Sequence, residues 1–148
     1  MLRLEILLSS NEYLFSREVG SYMNKVDIVK SFWDTVISQD AKRLIQYFTE
    51  DAYINWHNTN EHFTVPEYIK ANCDYPNSWG GEIERIEIIE DLVITVTRIF
   101  TLEGTLSFHA TSFIRLAENK ITQLDEYWGD DGMPPKWRLE KQIGTPIK

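Results

Sequence analysis

The stretch SFHATSFIRLAENKITQLDEYW, residues 107–128, decides the fold. Two runs rich in β-branched and aromatic residues flank Glu118-Asn119, a pair suited to a two-residue hairpin turn. Such a turn sets Ala117 opposite Lys120. Counting back, Thr111 meets Glu126 and His109 meets Trp128. Side chains alternate along a strand, so His109, Thr111, Phe113, Leu124, Glu126 and Trp128 are expected on one face. Leu106, Phe108, Ala110, Ile114, Ile121 and Tyr127 take the other. That second set is too apolar for a solvated surface and is a candidate partner-facing side.

The same period of two runs upstream. GEIERIEIIED (81–91) alternates charge with isoleucine, and LVITVTRIF (92–100) is β-branched and nearly continuous. Glu90-Asp91 and Glu103-Gly104 read as the intervening turns. A two-residue turn at Glu103-Gly104 puts Arg98 opposite His109, and adds Val96 and Ile94 to its face.

Before Gly81 the period is helical. Val26, Val29, Phe32, Trp33, Val36 and Ile37 recur at helix spacing, predicting a helix over about 25–38 with Asn24 as cap. Asp40 caps a second helix carrying Leu44, Ile45 and Phe48, followed by a short strand at 52–56. HNTNEH (57–62) reads as a polar loop. Thr64 and Glu67 form a capping box around Pro66 for a third helix, running to about Cys73. DYPNSWGG (74–81) has strong turn chemistry. Helices first, then a meander, make an α+β domain of antiparallel strands.

Residues 1–22 show no clear period. Arg17-Glu18-Val19 can be encoded by a purine-rich run resembling a ribosome-binding site, about ten nucleotides before the Met23 codon, so 1–22 reads as translated leader. An ordered extension is the alternative, with a strand built from Leu2, Leu4, Ile6 and Leu7. The domain is then 23–148, including a Gly/Pro-punctuated tail (129–148) expected to wrap over it. Trp137 and Arg138 are candidates to anchor that tail across a pocket entrance, or for simple surface packing.

The chain has 148 residues and a net charge of −8. One domain fits that length, since domains run to ~100–200 residues. The acidic balance argues against sequence-independent nucleic-acid binding, which needs clustered cations. Five Trp, seven Tyr and seven Phe suggest a cavity or interface as well as a core. The single cysteine, Cys73, excludes an internal disulfide and points to a reducing, cytoplasmic setting. No apolar run approaches the ~20 residues that span a bilayer.

VKSFWDTVISQDAKRLIQYFTEDAYI (29–54) at the front and residues 107–128 at the back together resemble the nuclear transport factor 2-like superfamily, which includes ketosteroid isomerases and SnoaL-like polyketide cyclases. The resemblance covers about residues 24–128. It implies a cone: a curved antiparallel sheet with three N-terminal helices closing a pocket, often paired back to back as a homodimer through the outer sheet face. It also implies that the face carrying His109 and Glu126 lies inside. The positions that serve ketosteroid isomerase chemistry hold Phe32, Trp56 and Thr111 here, which cannot exchange the substrate's proton. SnoaL-like proteins resemble a histidine-plus-carboxylate arrangement late in the sheet, and this chain offers His109 with Glu126 or, after a one-residue slip, Asp125.

The expected site is therefore a pocket for a small hydrophobic molecule. Trp56, Phe113, Leu124, Trp128 and Val96 wall it, and Arg98, His109, Thr111 and Glu126 converge on it. A carboxylate near an imidazole raises the imidazole pKa, and burial raises the carboxylate's own, so the pair can move protons near neutral pH. The expected chemistry is general acid/base isomerisation, cyclisation or hydration. A non-catalytic ligand-binding module and a dimeric interaction domain are the alternatives. His109 could equally be a structural histidine, and Arg98 with Glu126 a buried ion pair. No cofactor or metal is expected, because His57, Glu61 and His62 lack a known ligand spacing. Cys73 has no nearby cation to make a thiolate.

Overall fold

In the computed structural model, residues 10–148 are described, with side chains from residue 24 onward. Helix α1 spans Ser10–Ser38 and crosses the expected start at Met23 without a break. Asn24 is thus no cap; its side chain donates to Asn119 Oδ1 (2.9 Å). The suggested strand at Leu2–Leu7 lies outside the described residues. The helical period does place Val29, Phe32, Trp33 and Val36 in the core.

Asp40 accepts from the Arg43 N–H (3.1 Å) and starts α2, Ala41–Leu44, which tightens into a 3-10 turn at Ile45–Tyr47. Strand β1 (Phe48–Trp56) begins four residues earlier than expected. The polar loop is shorter than expected, because Glu61–Thr64 forms an edge strand, β2. Helix α3, Val65–Cys73, starts at Thr64, whose N–H and hydroxyl both donate to the Glu67 carboxylate (2.8 and 2.9 Å).

Strands β3 (Trp79–Ile89), β4 (Leu92–Thr101), β5 (Ser107–Ala117) and β6 (Lys120–Asp130) form the expected meander. The sheet order is β2-β1-β6-β5-β4-β3. The sheet is mixed rather than wholly antiparallel, because β1 pairs parallel to β6 and sets Trp56 beside Glu126. Glu118 and Asn119 both have positive φ (48° and 66°), as the two-residue turn demands, and Arg98 does pair with His109.

One local feature overturns the expected faces. Leu116 pairs with Ile121, but Arg115 pairs with Gln123, so Thr122 is an extra residue in β6. A bulge of this kind flips every later side chain to the opposite face. Ser112, not Thr111, meets Glu126, and Ala110, not His109, meets Trp128. The face carrying Ala110, Ser112, Ile114, Ile121, Leu124, Glu126 and Trp128 turns toward the helices. Trp33 Nε1 donates to Thr95 Oγ1 (3.1 Å) on that side.

Glycine brings α1 onto the sheet. A Cβ on Gly81 would sit 2.4 Å from Ile37 Cδ1. At the end of the tail, Lys148 Nζ comes back to Glu84 Oε1 of β3 (3.9 Å). Residues 129–148 are exposed throughout; α4 (Lys136–Glu140) carries Trp137 at 56% exposure and reaches no pocket. No helix among the described residues is long and apolar enough to cross a membrane.

Candidate functional site

Among the described residues Glu126 is the most deeply buried carboxylate, at 1% exposure. Three donors meet it. Trp56 Nε1 (2.8 Å) and Trp128 Nε1 (3.2 Å) both donate to Oε2, and Ser112 Oγ donates to Oε1 (3.1 Å). The parallel β1–β6 pairing supplies Trp56, and the bulge supplies Ser112. Burial pushes the Glu126 carboxyl up to about 7, and the three hydrogen bonds only partly oppose it. Tyr68, from α3, is fully buried nearby. Burial first, and the Glu126 charge second, raise its phenol well above the usual value.

The two indoles form one wall of a pocket of about 330 Å³. Phe108 and Trp79 continue the wall across β5 and β3, and Val36 and Ile37 of α1 with Ile99 of β4 close it. Glu126 is not among the lining residues; it stands behind Trp56 and Trp128. Trp79 is held by its Nε1 donating to Pro76 O (3.0 Å). At the rim, Gln39 sits at positive φ (54°) just past α1 and donates to Asn72 O and Tyr75 O, both at 2.8 Å. Asn58, Thr59, Glu61 and Asp130 complete the mouth.

Of the expected pocket residues, Trp56 and Trp128 line the cavity, Glu126 backs them, and Leu124 is packed in the core. Val96, Arg98, His109, Thr111 and Phe113 stand on the outer face instead, so His109 and Glu126 share no space. The bulge at Thr122 is the reason. His109 is instead held between carboxylates: Nδ1 contacts Asp131 Oδ1 (2.5 Å) and Nε2 contacts Glu84 Oε2 (3.1 Å). The Asp131 hydrogen bond chiefly raises its pKa. Arg98 donates to Ser107 Oγ (3.3 Å), not to Glu126.

Asp125 also faces outward. It accepts from Asn55 Nδ2 (2.8 Å) and His57 Nε2 (2.7 Å), and Asn55 Oδ1 accepts from His62 Nδ1 (2.7 Å). His57 stacks on Tyr127 at 4.2 Å. These ring nitrogens are thereby committed to hydrogen bonds. Burial raises the Cys73 thiol, which leaves it poorly nucleophilic.

The expected dimer surface is corrected by the same bulge. Phe108, Ala110, Ile114 and Ile121 are inside, and only Tyr127 and the loop residue Leu106 of that set are exposed.

Sequence reasoning missed Ser112, Phe108, Trp79, Val36, Ile37 and Ile99 as site residues. A signal existed for the first two. Ile121 and Leu124 are three apart, a spacing that puts both on one strand face only if a residue between them bulges.

No known family profile matches the chain, and no curated protein matches it. Solved structures do. A protein assigned as a ketosteroid isomerase from Kribbella flavida is 15% identical, superposes with a TM-score of 0.71, and the match covers 85% of this chain and 91% of that one. A nuclear transport factor 2-like protein of unknown function from Burkholderia xenovorans is 18% identical, with a TM-score of 0.70 and coverage of 86% and 98%. A protein assigned as a SnoaL-like polyketide cyclase from Shewanella putrefaciens is 14% identical, with a TM-score of 0.62 and coverage of 70% and 88%. Mixed curved sheet, helices on one face and these likenesses agree: the chain has the nuclear transport factor 2-like fold.

Proposed function

We propose that this protein binds a small molecule in the tryptophan-walled pocket between α1, α3 and the sheet. The supporting observation is the cavity itself: about 330 Å³ remains open beside a packed core, and most of its wall is aromatic or aliphatic. Pockets of that size and lining suit small ligands. Glu126 supports the reading from behind, since one carboxylate oxygen orients two wall indoles at once. The test is titration with the neutral fluorophore N-phenyl-1-naphthylamine, comparing wild type with Ile99→Trp, which fills the cavity. Saturable binding lost in a folded variant supports the proposal; binding that survives the filling refutes it.

A second reading is general acid/base catalysis of isomerase or cyclase type on the same ligand. One observation favours it: burial raises the Glu126 carboxyl to about 7, where it can take or give a proton once the Trp56 or Trp128 indole in front of it moves aside. Of the expected proton carriers, only Glu126 stands beside the pocket. Turnover of a bound ligand that Glu126→Gln abolishes, with binding retained, would decide for catalysis.

We also propose self-association through the outer sheet face, where Ile94, Val96, Phe113 and Tyr127 stand without helical cover. Light scattering during gel filtration checks it; a stable monomer at micromolar concentration refutes it.

A further inference from the structure

We propose that the pocket takes the ammonium head of a small organic cation, a quaternary or tertiary amine, in preference to a neutral apolar molecule. This rests on the pocket reading above and adds the ligand's charge.

Five aromatic rings follow one another around the space. Tyr75 and Trp79 are 5.5 Å apart at 71°, and Trp79 and Phe108 are 6.1 Å apart at 40°. Phe108 and Trp128 are 6.4 Å apart at 75°, and Trp128 and Trp56 are 6.4 Å apart at 66°. Each ring is inclined to the next, by 40° to 75°. All five line the cavity. Ring faces carry the negative part of the aromatic quadrupole, and walls of such rings attract alkylammonium groups, whose diffuse charge is cheap to desolvate.

The charges around the cavity have one sign. Glu61 and Asp130 stand at the mouth, and no lysine, arginine or histidine is among the described lining residues. Behind the wall, the Glu126 carboxylate accepts from both indole N–H groups. Above about pH 7, where Glu126 is ionised, a negative charge on that edge polarises each ring so that its faces become more electron-rich. A neutral hydrophobic ligand would draw nothing from any of these three carboxylates. An anionic one would be repelled by all of them.

The experiment uses the full chain and two isosteres, choline and 3,3-dimethylbutan-1-ol, which differ by N⁺ for C. Each displaces N-phenyl-1-naphthylamine, and tetramethylammonium chloride serves as the bare head group. We expect choline to bind at least about tenfold more tightly than the alcohol, and tetramethylammonium to compete. Trp79→Leu should remove the preference. If that variant does not fold, Glu61→Gln, at an exposed position, should weaken choline about threefold and leave the alcohol unchanged. Equal or tighter binding of the alcohol overturns the cation inference and leaves the pocket reading intact. So does fluorophore binding that neither cation displaces. Failure of the fluorophore and of every isostere to bind overturns both.

Discussion

Replacing Glu126 with glutamine should stabilise this protein, and more so as pH rises. The carboxyl is held at about 7 when folded, against an ordinary 4.5. The folded state therefore binds the proton more tightly than the unfolded chain. Below about pH 4.5 both states are protonated and ionisation costs nothing. Between about 4.5 and 7 the unfolded chain ionises first, and stability falls. Above about 7 the cost is constant, at about 3 kcal/mol for a shift of this size. Burial is complete, so solvent screening does not reduce it. Glutamine keeps the shape and carries no charge. Its carbonyl can accept from the two indoles, while its amide donates to the Ser112 hydroxyl. The assay is urea unfolding of wild type and Glu126→Gln at about pH 5 and about pH 8. The difference between the two proteins should change by roughly 2 kcal/mol across that range in favour of glutamine. Comparing the pair cancels the other titrating groups. A difference that is flat with pH would refute the account of Glu126 as an acid desolvated beneath the pocket floor.

Gly81→Ala should cost about 1–3 kcal/mol in denaturant melts, because the new Cβ would meet Ile37 Cδ1 at 2.4 Å, and Ile37→Val should recover much of it by removing that methyl. Deleting Thr122, the residue the ladder leaves unpaired, should keep Leu124, Glu126 and Trp128 facing inward and retain fluorophore binding; a folded deletion variant that loses that binding would contradict the register. His109, raised chiefly by its Asp131 hydrogen bond, contributes stability that is present below about pH 6.5 and lost as pH rises through the raised value. Its side chain is 39% exposed, so the contribution is below about 1 kcal/mol; His109→Gln should remove that dependence, and a proton NMR titration of the ring should show the upward shift.

Much of the architecture was legible residue by residue. Asp40 and the Thr64–Glu67 pair started helices where their side-chain chemistry said they would. Glu118-Asn119 made the expected turn, and the β4–β5 register followed from counting. These features are local, decided by groups within a few positions of each other. Trp56 and Trp128, expected as pocket walls, do line the cavity; Glu126, expected to converge on it with His109, stands behind them instead. The histidine's exclusion depends on Thr122, a residue with nothing in its own chemistry to mark a bulge.

Tertiary structure decided the faces. With Thr122 extruded, Ile121 and Leu124 both enter the core; in a straight ladder one of them would be lost to solvent. The sheet therefore accepts an unpaired residue to bury two aliphatic side chains, and Glu126 is carried inward with them. The parallel β1–β6 pairing was equally out of reach, because a contact some seventy positions apart leaves no mark within either segment. Composition and period told which elements form. Competition for the one buried surface told which way they point, and that orientation separates the imidazole from the acid and makes the pocket aromatic.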